Sequence, residues 1–303
     1  GIPAEPLFRS RDNTGEQPVN MQDVQFTEGI TYTFPSVVIP PNGYLVLAKN
    51  ADMFATRYDT NRMILVDNYD GNLARKGETL TLVDPEGTLI QSFTYDRSWY
   101  RDEVDRTGYS MEIVNLSAPL NTWDHPYNWY PSAVLGGTPG YASALYPNGA
   151  DQIAAPGDSV EFILDVPEGN VENIQWLQFN TKGKWKVREG ENSATLILNK
   201  VSEKNAGLYM AKFDLDGVLT LSTPNELMIL LEQPADVECL EGENASLSVG
   251  ITAIIPDKLQ WQKFTSAEQW EDILNGFGTT LELVYVSGGD SGLYRVRLGD
   301  QWV

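Results

Sequence analysis

The amino-acid sequence predicts an all-β protein built from tandem β-sandwiches. Three observations predict this class: short runs in which apolar and polar residues alternate, frequent turn signals between these runs, and self-similarity of the C-terminal part at one fixed offset. The one helix signal is weak and covers residues 51–58, where Asn50 is able to cap the first turn. The sequence therefore does not predict the alternating helices and strands of an α/β protein.

The self-similarity covers roughly the last half of the chain. When the sequence is shifted by 85 positions, its C-terminal part aligns with itself without a gap, and two tryptophans, a glycine and a tyrosine stay in register. Such a match predicts two tandem copies of one module, because internal repeats fix architecture. The matched pairs are Gly157 and Gly242, Trp176 and Trp261, Trp185 and Trp270, Leu196 and Leu281, Leu198 and Leu283, Gly207 and Gly292, and Tyr209 and Tyr294.

The first copy contains the pattern of a small sandwich. Val160, Phe162 and Leu164 alternate with Ser159, Glu161 and Ile163 in sequence, which is the period of a strand with one buried face. Further strands are predicted at residues 174–176, 196–198 and 209–213, with glycine-containing turns between them. Several short strands separated by regular turns favour a sandwich or a barrel.

Two positions in each copy resemble the immunoglobulin family. Trp176 and Trp261 match the buried tryptophan of that family, and residues 205–209 and 290–294 match its D-x-G-x-Y signature. The resemblance implies an immunoglobulin-like sandwich in each copy. It also implies that Tyr209 and Tyr294 bond back to the chain through their hydroxyl groups at a corner of the sandwich.

The sequence departs from this family in its cysteines. The resemblance places Ala211 and Val296 where a cysteine is expected, and Phe162 and Leu247 at the positions of its partner. We therefore expect apolar packing to hold the sheets together without a cross-link worth ~2–4 kcal/mol. The single cysteine, Cys239, aligns with an alanine and has no partner for an internal disulfide.

The second copy is expected to lack its last strand. Val303 aligns with Val218, whereas the first copy continues with an apolar run at residues 219–231. One interpretation is truncation or a disordered tail. The other is that a strand from a partner completes the exposed edge of the sheet.

Six sequence blocks characterise residues 1–145: residues 32–35, 39–49, 77–87, 108–112, 128–129 and 136–140. In their order and content these blocks resemble the lamin tail domain, itself an immunoglobulin-like sandwich found in bacterial secreted proteins and in nuclear lamins. The family's opening strand is not evident before Arg9.

These patterns divide the chain into three predicted domains: residues 1–145, 146–231 and 232–303. Their net charges are −8, −5 and −8, and the whole chain carries −21. Acidity spread in this way opposes binding to nucleic acids and to anionic membranes, which both require basic patches. No apolar run approaches ~20 residues, so we expect no insertion into a membrane.

The sequence offers no catalytic residues, metal ligands or cofactor motif. Residues 67–72 superficially resemble a calcium loop, but Tyr69 and Gly71 stand where ligands are needed, so a structural turn is expected. His125 is the only histidine and has no nucleophile motif beside it, so we expect a packed or surface histidine. Pairs of carboxylates for glycoside cleavage stay open, although no pattern selects one pair. The chain is predicted not to be an enzyme.

The candidate ligand-binding residues are Trp99 and Tyr100. They stand between two segments rich in both charge signs, residues 95–97 and 101–103, and an exposed aromatic pair suits stacking against a sugar ring. The alternative is that both rings pack over the edge of the sandwich. Trp123 and Trp129 are expected in the core.

The two resemblances together imply an exported bacterial protein at the cell surface or outside the cell. We predict a non-catalytic adhesion module or a scaffold that acts as a spacer, with a protein or a glycan at the cell surface as its partner. The alternative prediction is a carbohydrate-binding accessory module of a larger secreted enzyme, with Trp99 and Tyr100 as the binding platform. An enzyme of an unrecognised type is a third hypothesis.

Overall fold

The structure, a computed structural model, describes residues 9–10, 16–100, 108–114, 120–141, 145–146, 149–166, 169–299 and 301–302. It is almost entirely β, with several sheets consistent with β-sandwich domains, so the predicted all-β class is confirmed. The strands are β1 (Arg9–Ser10), β2 (Val19–Asn20), β3 (Gln25–Glu28), β4 (Tyr32–Thr33), β5 (Val38–Ile39), β6 (Leu45–Ala48), β7 (Ile64–Asp67), β8 (Gly77–Val83), β9 (Leu89–Asp96), β10 (Met111–Ile113), β11 (Trp129–Pro131), β12 (Leu145–Tyr146), β13 (Gln152–Ala154), β14 (Val160–Ile163), β15 (Val171–Asn180), β16 (Lys184–Val187), β17 (Thr195–Leu198), β18 (Gly207–Leu215), β19 (Val218–Ser222), β20 (Asn225–Glu232), β21 (Ala245–Ser248), β22 (Gly250–Thr252), β23 (Leu259–Phe264), β24 (Trp270–Phe277), β25 (Thr280–Leu283), β26 (Tyr294–Leu298) and β27 (Gln301–Trp302).

The described residues contain one α-helix, α1 (Ala51–Ala55). Asn50 caps it as predicted, since its side chain accepts a hydrogen bond of 2.8 Å from the backbone N–H of Met53. The helix is shorter than the expected 51–58. The 3₁₀ turns are Thr60–Arg62, Arg97–Tyr100, Leu120–Thr122, Pro126–Asn128, Glu203–Asn205, Pro256–Lys258 and Gly288–Asp290. Within the described ranges, no helix combines the length and the apolar character needed to cross a membrane.

The chain forms two compact units. The first contains residues 1–145 together with the short segments 183–186 and 217–221, and the second contains residues 146–182, 187–216 and 222–303. The three-domain division of the sequence stays a prediction.

The first unit contains a four-stranded sheet in the order β4–β3–β8–β9, a three-stranded sheet β1–β6–β7, and the pairs β2–β5 and β10–β11. Strands β6 and β7 are parallel and the other pairs are antiparallel. Its largest fully buried side chains include Phe26, Phe34, Ile39 and Leu45. The region expected to hold an opening strand, residues 2–8, lies outside the described residues.

Two of the sequence blocks of the first unit meet in its interior. The carboxylate of Glu112, which is 2% exposed, accepts hydrogen bonds from the hydroxyls of Thr138 (2.6 Å) and Tyr130 (3.1 Å). A buried carboxylate requires such partners, because burying a charge without compensation is strongly unfavourable. The block at 108–112 and the block at 136–140 are therefore joined by one polar contact.

The second unit contains two sandwich-like halves: the first half is residues 146–182, 187–216 and 222–231, and the second half is residues 232–303. In the first half, β14 pairs with β17, and β15 pairs with β18. In the second half, β21 pairs with β25, and the order β24–β23–β26–β27 forms the other sheet. The predicted alternation along β14 and the residue after it is confirmed, since Val160, Phe162 and Leu164 are 3–6% exposed and Ile163 is 56% exposed.

Strand β20 pairs with strands of both halves within one sheet. It pairs in parallel with β13 and antiparallel with β18 in the first half, and antiparallel with β22 in the second half. Successive side chains on this strand enter different cores: Ile229 lies in the core of the first half and Met228 in that of the second. This follows from the period of a strand, in which successive side chains point to opposite faces.

The same hydrogen bonds occur at equivalent positions of the two halves. The hydroxyls of Tyr209 and Tyr294 donate over 2.6 Å to the carbonyl oxygens of Asn205 and Asp290, which is the bond that the resemblance implied. The indole N–H groups match in the same way: Trp176 donates to Ser193 O and Trp261 to Gly278 O, at 2.8 and 3.0 Å. The positions without cysteines are filled by packing, because Phe162 and Ala211 share one core, and Leu247 and Val296 share the other.

Candidate functional site

Trp99 is not an exposed platform. Its side chain is 9% exposed, and its ring lies 6.5 Å from that of Trp129. Residue 100 ends the same 3₁₀ turn, but the side chain of Tyr100 lies outside the described residues. For Trp99 the structure gives the packing alternative, and ligand binding by Trp99 and Tyr100 stays a prediction.

Trp123 and Trp129 lie in the core as predicted, with 8% and 9% of their surfaces exposed. The indole N–H of Trp129 donates to the carbonyl of Trp123 over 2.8 Å. Trp185, in segment 183–186 of the first unit, is 2% exposed and donates its indole N–H to Trp129 O over 3.1 Å. These indoles are packed inside the protein and are not displayed to a ligand.

An ammonium group occupies the loop that superficially resembles a calcium site. Lys49 Nζ donates to Gly71 O over 2.5 Å and also to Asn72 Oδ1. The backbone at Asp70 is fixed by a bridge to Thr31, as a structural turn requires. In the ranges that the structure describes, no cluster of three or more His, Cys, Asp or Glu side chains is placed to hold a metal ion.

His125 and Cys239 lie in different units of the chain. The ring of His125 stacks on Tyr127 at 5.1 Å between centroids. Cys239 is an exposed free thiol.

A partly buried charge cluster joins the two halves of the second unit. Lys258 Nζ lies 2.5 Å from Asp151 Oδ2 and 3.7 Å from Glu226 Oε2. The other oxygen of Glu226, Oε1, accepts hydrogen bonds from the backbone N–H groups of Ile254 and Ile255. Burial raises the pKa of Glu226, and the nearby Lys258 ammonium opposes this rise. The cluster ties the first residues of β20 to the start of β23.

A groove of about 770 Å³ opens in the second half of the second unit. One wall is the irregular segment 234–241, and the opposite wall is residues 290–294, at the start of β26. The apolar residues Leu247, Trp261 and Leu283 also line the groove, and we call them its floor. Leu247 and Leu283 are partly buried and Trp261 is fully buried, so the groove reaches the edge of the core of this half.

The groove corresponds to the place that β20 fills in the first half. There β20 lies between β13 and β18, with Leu227 opposite both Gln152 and Gly207. The residues 85 positions later are Val237 and Gly292, and both line the groove. The floor residues likewise correspond to Phe162, Trp176 and Leu198, which belong to the same core as Leu227 and Ile229.

The groove wall at residues 237–239 is more exposed than β13, the strand with which it aligns in the repeat. Ala154 in β13 is 5% exposed, whereas the equivalent Cys239 is exposed. The structure assigns no strand to residues 233–244, and Val237 and Leu240 are 45% and 73% exposed. Residues 237–239 of the wall therefore align with β13 in the repeat, but they do not form the strand pairing that β13 makes with β20.

Sequence reasoning named the edge of this half but not the residues of the groove. The signal that could have found them is the repeat offset itself. In the first half, the strand within residues 219–231 pairs with residues 152–154 and 207–209. The repeat offset of 85 positions moves these partners to residues 237–239 and 292–294.

Comparisons with known proteins returned no relatives: no protein-family model matches the chain, and no curated protein matches it.

Proposed function

We propose that the chain is a non-catalytic scaffold or adhesion module that holds its parts at a fixed spacing. The observation that supports this proposal is the shared strand β20, which hydrogen-bonds to β18 in one half of the second unit and to β22 in the other. A spacer must resist bending, and a strand that hydrogen-bonds to both halves supports that resistance.

Apolar burial at the joint, the region around β20 where the two halves meet, supports a rigid connection. Neighbouring domains move relative to one another by default unless their interface is large and apolar. Here Met228, which is fully buried, and the partly buried Ile153 and Leu230 contribute to the core of the second half. Bending at this joint would expose these side chains, at about 1.5–3 kcal/mol for each large apolar side chain moved fully into water.

The finer identity is also part of the proposal. We propose a lamin-tail-like domain at residues 1–145, followed by immunoglobulin-like domains at 146–231 and 232–303. The corner hydrogen bonds of Tyr209 and Tyr294 support the second part, and the contact between Glu112 and Thr138 is compatible with the first. The pairing of these two resemblances supports an exported bacterial protein at the cell surface.

The proposed partner is a protein or glycan at that surface. The net charge of −21 opposes a nucleic acid partner, because phosphate binding requires basic groups. The packing of Trp99 gives no support to a sugar platform at that residue.

The spacer function is tested by distance measurements between spin labels. In a Cys239→Ser background, one label at Ile197→Cys and one at Leu274→Cys report across the joint, since these side chains are 48% and 89% exposed. The control pair, Leu274→Cys with Val284→Cys, lies within one half. We expect the distance distribution across the joint to be as narrow as that of the control. A distribution several times broader would contradict a rigid spacer.

Binding is tested on an array of glycans and extracellular-matrix proteins. The full chain is compared with Trp99→Ala and with Trp99→Phe, which keeps an aromatic ring in the packed position. We expect a protein ligand whose binding both variants retain. A glycan signal that Trp99→Ala loses and Trp99→Phe keeps would instead favour the carbohydrate-binding accessory module.

A further inference from the structure

We propose that the joint between the two halves is a pH-sensitive connection, in which the carboxyl group of Glu226 controls how often the second half separates locally from the start of β20. This inference rests on the proposed scaffold function, because it names a regulation of the joint that the scaffold requires. The evidence is the place of one buried titratable group: Glu226 is fully buried in the first half, and its side chain contacts the second.

The contacts of this carboxyl group cross the joint. Its Oε1 accepts hydrogen bonds from the backbone N–H of Ile254 and, over 3.2 Å, from that of Ile255. Its Oε2 lies 3.7 Å from Lys258 Nζ, also in the second half. Among the described residues, this second oxygen is buried and has no hydrogen-bond partner. The carboxyl therefore holds the second half through one oxygen, while the other is removed from water without a hydrogen bond.

The charged groups around Glu226 come from several elements. Lys258 belongs to the 3₁₀ turn before β23, and Asp151 precedes β13. Asp151 Oδ2 lies 2.5 Å from Lys258 Nζ, and its Oδ1 accepts from the backbone N–H of Glu226 over 2.7 Å. Glu203, in the 3₁₀ turn that packs against β20, accepts from the hydroxyl of Thr252 over 3.3 Å. Since Asp151 is the nearer partner of the ammonium, ionised Glu226 is only partly compensated.

The direction of the pH response follows from this environment. Burial raises the pKa of Glu226; the Lys258 ammonium and the two backbone N–H groups oppose the rise, and Asp151 adds to it. Local separation would return the carboxyl to water and its pKa towards 4.5. The closed joint therefore binds this proton more tightly than the open joint. Closure is favoured fully below pH 4.5, and ionisation favours separation as the pH rises through the raised pKa.

The size of the response is limited to one proton. A difference of one bound proton changes the ratio of open to closed joints by at most about tenfold per pH unit. The event is local, because β20 also pairs with β22 through residues 229–232, and Met228 lies in the core of the second half. We therefore expect a small open population that leaves the spin-label distances across the joint narrow.

The experiment measures hydrogen exchange in the whole chain by NMR at a series of pH values below and above 4.5. The backbone N–H groups of Ile254 and Ile255 report separation, because they bond to Glu226 directly. Each rate is divided by the rate in Glu226→Gln at the same pH, which cancels the pH dependence of exchange itself. The variant keeps an oxygen that accepts from both N–H groups but does not ionise. The reference is the N–H of Val286, which bonds to Glu243 O over 2.8 Å within the second half.

We expect the ratio at Ile254 and Ile255 to stay constant below pH 4.5 and to rise above it, by up to about tenfold per pH unit. At Val286 the ratio should change less than about twofold, because local separation leaves its bond in place. A ratio that is constant with pH at Ile254 and Ile255 would overturn the proposal. An equal rise at all three positions would also overturn it, since the change would then be general unfolding.

A direct titration of Glu226 keeps the proposal testable without any variant. The carbon-13 resonance of its carboxyl group should have a midpoint above pH 4.5 in the original chain, and a midpoint at or below this value would contradict the proposal. Lys258→Met removes the cation that lowers the pKa, so the midpoint should rise further, whereas Lys258→Arg keeps a cation and should shift it less. Equal midpoints in both variants would contradict the role of the ammonium.

This proposal and the spacer function fail separately. A broad spin-label distribution at every pH would contradict the rigid spacer, whatever the titration of Glu226 shows. A narrow distribution together with a constant exchange ratio would leave the spacer intact and would overturn the pH-sensitive joint alone.

Discussion

The two halves of the second unit share a frame but differ in how completely that frame is covered. Both have the corner tyrosine bond, the indole bond and the buried tryptophan. In the first half β20 covers the core, whereas in the second half the corresponding face is a groove. The comparison teaches that the same corner and indole bonds occur beside a covered core and beside a groove, and that the residues bordering the groove, such as Tyr294, are the more exposed members of the matched pairs.

The first way to test this comparison is to truncate the equivalent tryptophans. Both are fully buried, but Trp261 also lines the groove and Trp176 lies in the covered core. We expect Trp176→Ala to lower the free energy of unfolding by about 3–5 kcal/mol. The loss for Trp261→Ala should be smaller by about 1 kcal/mol, because Trp261 lines the groove and water can enter the space that its ring leaves. Hydrogen exchange in β18 and β26 measures each half separately, and equal losses would contradict the comparison.

The next test removes the ammonium at the joint between the halves. Lys258→Met leaves Glu226 and Asp151 without their cation. Because the lysine side chain is 27% exposed, we expect a loss of about 2–3 kcal/mol in the free energy of unfolding, below the usual range for a fully buried pair. Urea unfolding measures this loss. Lys182→Met, at an exposed site, is the control and should change stability by less than about 0.5 kcal/mol.

A smaller difference is expected at the corner tyrosines. Tyr209 is fully buried and Tyr294 is half-buried, although their hydrogen bonds have the same length. Tyr209→Phe leaves a carbonyl with less access to water, so we expect a cost of about 1–2 kcal/mol, against about 0.5–1 kcal/mol for Tyr294→Phe. Urea unfolding of each variant checks the order, and a larger cost for Tyr294→Phe would show that covering does not matter here.

The smallest expected effect is a pH dependence at the joint. Burial raises the pKa of Glu226 above 4.5, so the folded state holds this proton more tightly than the unfolded chain. The stability from this group is fully present below pH 4.5 and is lost as the pH rises through the raised pKa. Glu226→Gln removes that loss, so the variant should gain stability relative to the original chain as the pH rises above 4.5. A constant difference across this range would show that the carboxyl does not titrate differently on folding.

The sequence predicted those features that depend on local pattern. The alternation at Val160 and Phe162 depends only on a period of two, and the cap at Asn50 depends on a few neighbouring residues. Trp99 was less predictable, since its charged neighbours suggest exposure while a ring 30 positions away in sequence packs near it. Burial by a distant partner leaves no local signal.

The groove shows the same limit in another form. The walls at residues 237–239 and 292–294 have an ordinary composition. Only the comparison with the residues that pair with β20 identifies them as the walls of a groove. The lysine that occupies the calcium-like loop was also unpredicted, because Lys49 lies well before the loop in the sequence. In each case the decisive contact joins segments far apart in the chain.

The shared strand also makes the order of folding asymmetric. The core of the first half, within the described residues, contains nothing beyond Ile229, whereas the core of the second half includes Met228 from the first. The first half can therefore close its core before the second is present, and the second depends on a strand already in place. Synthesis from the N-terminus delivers the two halves in that order, so each segment emerges onto a surface ready to receive it.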